Sequence, residues 1–332
     1  MHPIAFGLGL TGASPKHYAD GKASICVGDQ RILDDEEILK NAVVVKSGFL
    51  LNCLKKRDTI SKGSDPEVLT SGYVIQCTLD GIREDDFVGL IGNLIVPYAL
   101  LKKERNSTES TDIREIYQKA RRRFVKKNPT GEFGEVILFA FLESERNAPQ
   151  VLNKMSLKTS GNVHVFGLDA VHLGVGDGEI RKYYGQSKTV ADHRKGITEA
   201  VRDLKRFHSD PERKSMELDL ISNHIDISRF SEYKDRILDI FNPYGSDKGN
   251  IREVNAVFVG FDWNSITPID VTNINKNIEQ QIESILRANE EDIADYCRNT
   301  VKGSSLKNLT EFFYIPFTSV DKMRERFLGV IQ

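Results

Sequence analysis

The 332-residue sequence predicts an α/β fold: a mixed sheet flanked by helices, preceded by an α+β N-terminal region. Three observations carry this expectation. From residue 111 onward, runs rich in Val, Ile, Phe and Tyr alternate with stretches whose apolar residues recur every three or four positions, the order that lays helices on the faces of a sheet. Two β-type runs, 163–173 and 180–190, are joined by GVGDGE and read as a hairpin. Before residue 110 strand-like runs dominate, and a polar stretch, KKERNSTESTD, separates the two parts. The chain therefore divides into an N-terminal region, 1–110, and a main domain, 111–332.

In order, residues 1–35 are glycine-rich and polar with little pattern. GLGLTG at 7–12 resembles a phosphate loop only superficially, since no strand clearly precedes it and no GK[ST] follows. Residues 42–51 (AVVVKSGFLL) and 72–79 (GYVIQCTL) read as strands. FVGLIGNLIVPYALL, 87–101, contains a proline and is too short to span a bilayer, so it is expected as a buried element. Residues 102–112 read as an exposed loop. Ile113, Ile116, Tyr117, Ala120 and Phe124 make one face of a helix over 113–127, which Pro129 stops. The helix from 131 is apolar nearly all round and should be buried. After the hairpin come a helix over 192–208, helices near 212–225 and 231–241, a strand at 254–261, a long helix near 276–299, a strand in EFFYIPF and a short final helix.

Composition excludes several classes. With 39% hydrophobic and 28% charged residues the chain is an ordinary globular protein, and a formal net charge of -2 rules out a uniformly basic nucleic-acid coat. Any nucleic-acid surface must be local. Cys26, Cys53, Cys77 and Cys297 show no CxxC and read as thiols in a reducing cytosol. No secretory signal is evident, so a cytoplasmic protein without a membrane partner is expected.

The chemistry concentrates between residues 131 and 208. Glu135 lies near the start of the apolar helix, Asp169 in the first hairpin strand, and Gln186 and Lys188 in the second. Acid, acid, x, lysine is the order of a PD-(D/E)xK nuclease site, with glutamine where the second motif acid belongs. Side chains alternate along a strand, so Gln186 and Lys188 share a face and can meet Asp169 across the hairpin. Hard cations such as Mg²⁺ take oxygen ligands. Glu135, Asp169, Gln186 and the backbone carbonyl of Ser187 are the expected donors for Mg²⁺ or Mn²⁺, with Lys188 near the attacking water to orient it and stabilise developing charge. The purely structural reading has Glu135 complementing a helix dipole, Asp169 capping a turn and Lys188 in a surface ion pair.

Arg121, Arg122, Arg123, Lys126 and Lys127 crowd the end of the 113–127 helix. Arg194, Lys195, Arg202, Lys205 and Arg206 line one face of the 192–208 helix. Both are candidate DNA-phosphate surfaces, the first serving a helix dipole equally well. His164 and His172 fall on the opposite strand face from Asp169 and read as structural. His193, after the lysine strand, could reach phosphate.

GEFGEVILFAFL, KMSLKTSGNVHVFGLDAVHLG and YGQSK resemble the HamA family, the nuclease subunits of the bacterial Hachiman anti-phage defence system. The resemblance is best over 110–210 and looser on both flanks. It implies a PD-(D/E)xK-like DNA nuclease domain in 111–332, held in check by a helicase partner of the HamB kind that senses aberrant DNA. Glu135, Asp169 and Lys188 match the family's acid, acid and lysine. Gln186 departs from it, since glutamate is expected there. Either the amide is tolerated naturally or it is an inactivating substitution, and the intact remainder of the site favours the second. The competing class is a degenerate nuclease fold that only binds DNA or a partner.

Overall fold

The structure is a computed structural model and describes residues 27–78, 81–106, 112–124, 131–157, 167–226, 228–230, 233–242, 250–266 and 278–332. The 7–12 segment, Cys26, Lys126, Lys127 and His164 lie outside them. In chain order the described helices are α1 (Val27–Ala42), α2 (Glu84–Gly92), α3 (Ile95–Ala99), α4 (Lys102–Arg105), α5 (Ile113–Arg121), α6 (Glu132–Arg146), α7 (His193–Ser209), α8 (Pro211–His224), α9 (Lys234–Phe241), α10 (Ile278–Ser304) and α11 (Val320–Ile331). The strands are β1 (Leu54–Lys62), β2 (Val68–Ile75), β3 (Cys77–Thr78), β4 (Gly81–Ile82), β5 (Ala170–Gly176), β6 (Glu179–Thr189), β7 (Ile251–Asp262) and β8 (Leu309–Phe317).

Six strands build one mixed sheet in the order β1-β2-β8-β7-β6-β5. The four central strands are parallel, and the two edges are antiparallel hairpin partners. Central strands covered on both faces need apolar residues at nearly every position, which is why VNAVFVGF and EFFYIPF read as continuous runs. Alternation sends Phe313, Ile315 and Phe317 to a core shared with α2, α3, α6 and α11, where the Phe141 and Phe313 rings stack at 4.9 Å. It sends Phe312 and Tyr314 to the opposite core under α7, α9 and α10. The mixed α/β class with flanking helices is thus as expected. Residues on both sides of position 110 contribute to this one sheet and to the same core.

Several local expectations need correction. Residues 42–51 are not a strand: they hold the end of α1, a turn and a 3₁₀ turn at Phe49–Asn52. The amides of Val44 and Val45 go to the Glu143 carboxylate at 2.6 and 3.1 Å instead of a neighbouring strand. The strand is instead LKKRDTISK, β1, an edge whose charges discourage further pairing. Residues 102–105 form a short helix rather than a loop. Helix α5 ends at Arg121, short of the expected 127, and Phe124 turns into the core. Strand β5 begins at Ala170, so Asp169 stands just before it rather than within it. The buried 87–101 segment is as expected, but as two helices, α2 and α3.

Two glycines set the spacing around β6. A Cβ on Gly134 of α6 would lie 3.1 Å from Thr189 Cγ2 and 3.3 Å from Ser187 Cβ. A Cβ on Gly196 of α7 would lie 2.7 Å from Val259 Cγ1. Both helices therefore pack closely against the sheet where β6 ends.

Candidate functional site

β5 is shorter than β6. Ala170 pairs with Gly185, so among the described residues Gln186 to Thr189 have a strand neighbour only on the β7 side. The Gly185 carbonyl accepts the Asp169 N–H at 2.9 Å. Alternate residues of a strand direct their N–H and C=O to the same side, so both groups of Ser187 point over this open edge. The Ser187 N–H donates to Asp169 Oδ2 at 2.8 Å, and the Ser187 hydroxyl lies 3.1 Å from the same oxygen.

The side chains approach this edge from both faces. Ser187 and Thr189 face α6, as the Gly134 contacts show. Gln186 and Lys188 share the other face, as strand parity requires. Lys188 Nζ lies 2.8 Å from Asp203 Oδ2 on α7, the kind of ion pair the structural reading expected. Gln186 Nε2 donates to the Gly167 carbonyl at 3.3 Å, turning its amide toward the chain that leads into Asp169. Glu135 sits in the first turn of α6, and its Oε2 accepts the Tyr98 hydroxyl at 2.7 Å.

The electrostatics tie these groups together. Burial first, then the charge of Glu135, push the Asp169 carboxyl up to about 6, against the Ser187 N–H, Lys154 and Lys188. Burial and the neighbouring Glu135, Glu132 and Asp169 carboxylates hold the Tyr98 phenol well above its usual range. Glu132, Glu135 and Asp169 therefore crowd one tyrosine with their negative charges in mutual conflict. Two carboxylates and a backbone carbonyl suit a hard cation that keeps much of its water. Among the described residues no group of three or more His, Cys, Asp or Glu side chains could by itself hold a metal.

The expected DNA-contacting residues are spread over two places. Arg121 Nε donates to the Ile331 carbonyl at 2.6 Å, and Arg123 pairs with Glu104 at 2.7 Å, so both brace α5. Arg122 is exposed. On α7, Arg194, Lys195, Arg202, Lys205 and Arg206 are exposed, with the Arg194 guanidinium 5.2 Å from the Tyr296 ring centre. His193 is buried, its Nδ1 3.0 Å from Ser265 Oγ, and burial lowers its basicity. It lines a polar cleft with Asp192, Arg194, Asn289 and Asp292. His172 is fully buried, with Nδ1 donating to the Ala148 carbonyl at 2.7 Å, as a structural histidine.

Sequence reasoning missed Tyr98, Glu132, Lys154 and Asp203. Tyr98 sits in a run that reads as core, and Lys154 in a stretch without periodicity. Asp203 alone had an available signal, since it lies on the apolar-periodic 192–208 helix at the edge of its basic face.

No curated protein matches the chain. The HamA family matches residues 48–330, which include all six strands of the large sheet and the β6 edge. The chain therefore belongs to the HamA family of anti-phage defence proteins.

Proposed function

We propose that the chain is a metal-dependent DNA nuclease of the PD-(D/E)xK type, a defence-complex subunit restrained by a helicase partner. The observation that carries the reading is the raised Asp169 carboxyl beside Glu135 at an open strand edge, with a lysine on the same strand. Glu135, Asp169 and the Ser187 carbonyl would hold Mg²⁺ or Mn²⁺, with Gln186 as a neutral donor; the ion supplies charge neutralisation at the phosphate and an activated water. Ser187 orients Asp169 through its N–H and hydroxyl. Tyr98 orients Glu135. Lys188, steadied by Asp203, offers an ammonium to the charge developing on phosphate. The exposed cations of α7 face solvent beside Lys188 and suit the DNA backbone.

Gln186 weakens this site. An amide oxygen is neutral where a carboxylate would add a full charge next to a dication. The test is plasmid cleavage by the chain and by Gln186→Glu at equal concentration, in millimolar Mg²⁺, with EDTA and Asp169→Ala controls. Gln186→Glu should cut faster by on the order of 100-fold, the scale of one preorganised electrostatic group. Equal rates would remove the metal role of position 186.

A second reading, a DNA- or partner-binding subunit without catalysis, has one observation in its favour. The Gln186 amide donates to the Gly167 carbonyl, a bond that glutamate cannot make. On that reading neither form cuts, and DNA or partner binding persists in both.

A further inference from the structure

Lys154 opens the 3₁₀ turn Lys154–Leu157 and is only 8% exposed. A lysine is rarely buried so deeply without a partner. Among the described residues no carboxylate lies within ion-pair distance of its ammonium, and no hydrogen bond from it is formed. Its Nζ is not among the fully sealed, partnerless side-chain atoms of the described interior, as for a lysine whose stem is covered and whose tip reaches outward.

The turn that carries it is anchored by packing and by its own hydrogen bonds. Met155 is buried in the core beneath α6. Asn153 is buried too, and it accepts the Ser156 N–H at 3.0 Å through Oδ1 and the Ser156 hydroxyl at 2.7 Å through its carbonyl. The turn packs on α3, the helix whose Tyr98 donates to Glu135. Lys154 is thus carried on a turn against α3, whereas Lys188 faces α7. Its charge lowers the Asp169 carboxyl ahead of that of Lys188, whose own Nζ is engaged by Asp203 at 2.8 Å.

We propose that Lys154 is a second phosphate-binding ammonium of the site, contacting a DNA backbone phosphate beside Asp169 while Asp203 restrains Lys188. This rests on reading the site as one that takes DNA. A lysine binds phosphate as a point charge and needs no fixed hydrogen-bond fork. Each neutralised phosphate contributes about 0.9 to the log–log salt slope of binding.

The test is anisotropy of a short labelled DNA duplex with the full chain in EDTA, from about 50 to 200 mM salt. Thermal unfolding is followed in parallel. Salt-dependent binding by the unmodified chain tests the reading of the site; the difference between variants tests the inference. Lys154→Gln should reduce the salt slope by about one and weaken binding roughly tenfold at low salt, while Lys154→Arg retains both. If Lys154→Gln binds with unchanged slope and affinity, whatever its melting temperature, Lys154 only neutralises Asp169 and the inference fails. Should that variant not fold, Lys154→Gln/Asp169→Asn is read against Asp169→Asn alone. A slope lower by about one supports the inference, and equal slopes overturn it.

Discussion

Glu143 and Glu135 stand roughly two turns apart on α6, and their surroundings differ in kind. Glu143 is fully buried. Its Oε2 accepts the Val44 and Val45 amides, and its Oε1 accepts the Gln150 amide at 3.1 Å and the Arg229 guanidinium. Arg229 in turn donates to the Ala42 and Gln150 carbonyls. Charge and hydrogen bonds are balanced, and the cluster joins α1, α6 and the chain after α8 into one body. Glu135 accepts a tyrosine hydroxyl, and it raises the carboxyl of Asp169. The first arrangement holds the fold together. The second sets one carboxylate against another at an open strand edge, a repulsion that a cation would relieve.

The contrast is broken most strongly at the balanced cluster. Glu143→Ala leaves Arg229 buried without its counter-charge and three amides without an acceptor, so stability should fall by about 3–5 kcal/mol. Urea unfolding would register this as an earlier midpoint with unchanged slope. A loss below about 1 kcal/mol would show that the cluster does not hold these elements together.

His172 belongs to the same cluster through the Glu143 charge, and burial pushes it down to about 4. The unfolded chain takes up a proton near pH 6.5, and the folded chain does so only near 4. Stability is therefore intact above about 6.5 and falls between 6.5 and 4, by up to about 3 kcal/mol. His172→Gln, which can still donate to the Ala148 carbonyl, should flatten this slope. An unchanged acid slope in that variant would place the loss elsewhere.

At the Glu135–Asp169 pair the sign reverses. The Asp169 carboxyl is raised from 3.8 to about 6, so the folded state prefers it protonated and carries a penalty above about 6. Asp169→Asn keeps an acceptor for Ser187 and should stabilise the metal-free chain at pH 7–8. The gain is on the order of 1 kcal/mol, below the full two-unit value because Asp169 is only half-buried, and it should vanish toward pH 4. Destabilisation at pH 8 would mean that the charge is already compensated. The smallest effect belongs to Asp203→Asn. Its partner Lys188 is partly exposed, so the cost should stay under about 1 kcal/mol, and a larger loss would make this ion pair a part of the fold.

What the sequence shows of this follows from the physics of each segment. Central strands and long helices are covered on one face or both, and their patterns survive in VNAVFVGF and in the 278–304 helix. The edge strand LKKRDTISK does not show itself, because an edge protects itself with charge rather than alternation. AVVVKSGFLL misleads because the amides of Val44 and Val45 are held by a carboxylate from a distant helix and not by a ladder. Gln186 and Lys188 can be placed on one face from strand alternation alone, whereas Asp169 falls just before β5. Tyr98 and Lys154 come from other elements, α3 and the turn at 154–157 that packs on it, and no local pattern links them to the acids. The direction of Gln186 toward Gly167 is likewise set by chain outside its own strand.

The central claim is that Glu135 and Asp169 form a cation site limited by Gln186. Mn²⁺ binding to the full chain without DNA, followed by electron paramagnetic resonance with Mg²⁺ competition, tests it most directly. Asp169→Asn should weaken binding by at least about tenfold and Gln186→Glu should tighten it by a similar factor, the scale of changes around a metal ligand. Equal affinity in the chain, Asp169→Asn and Gln186→Glu would contradict the account.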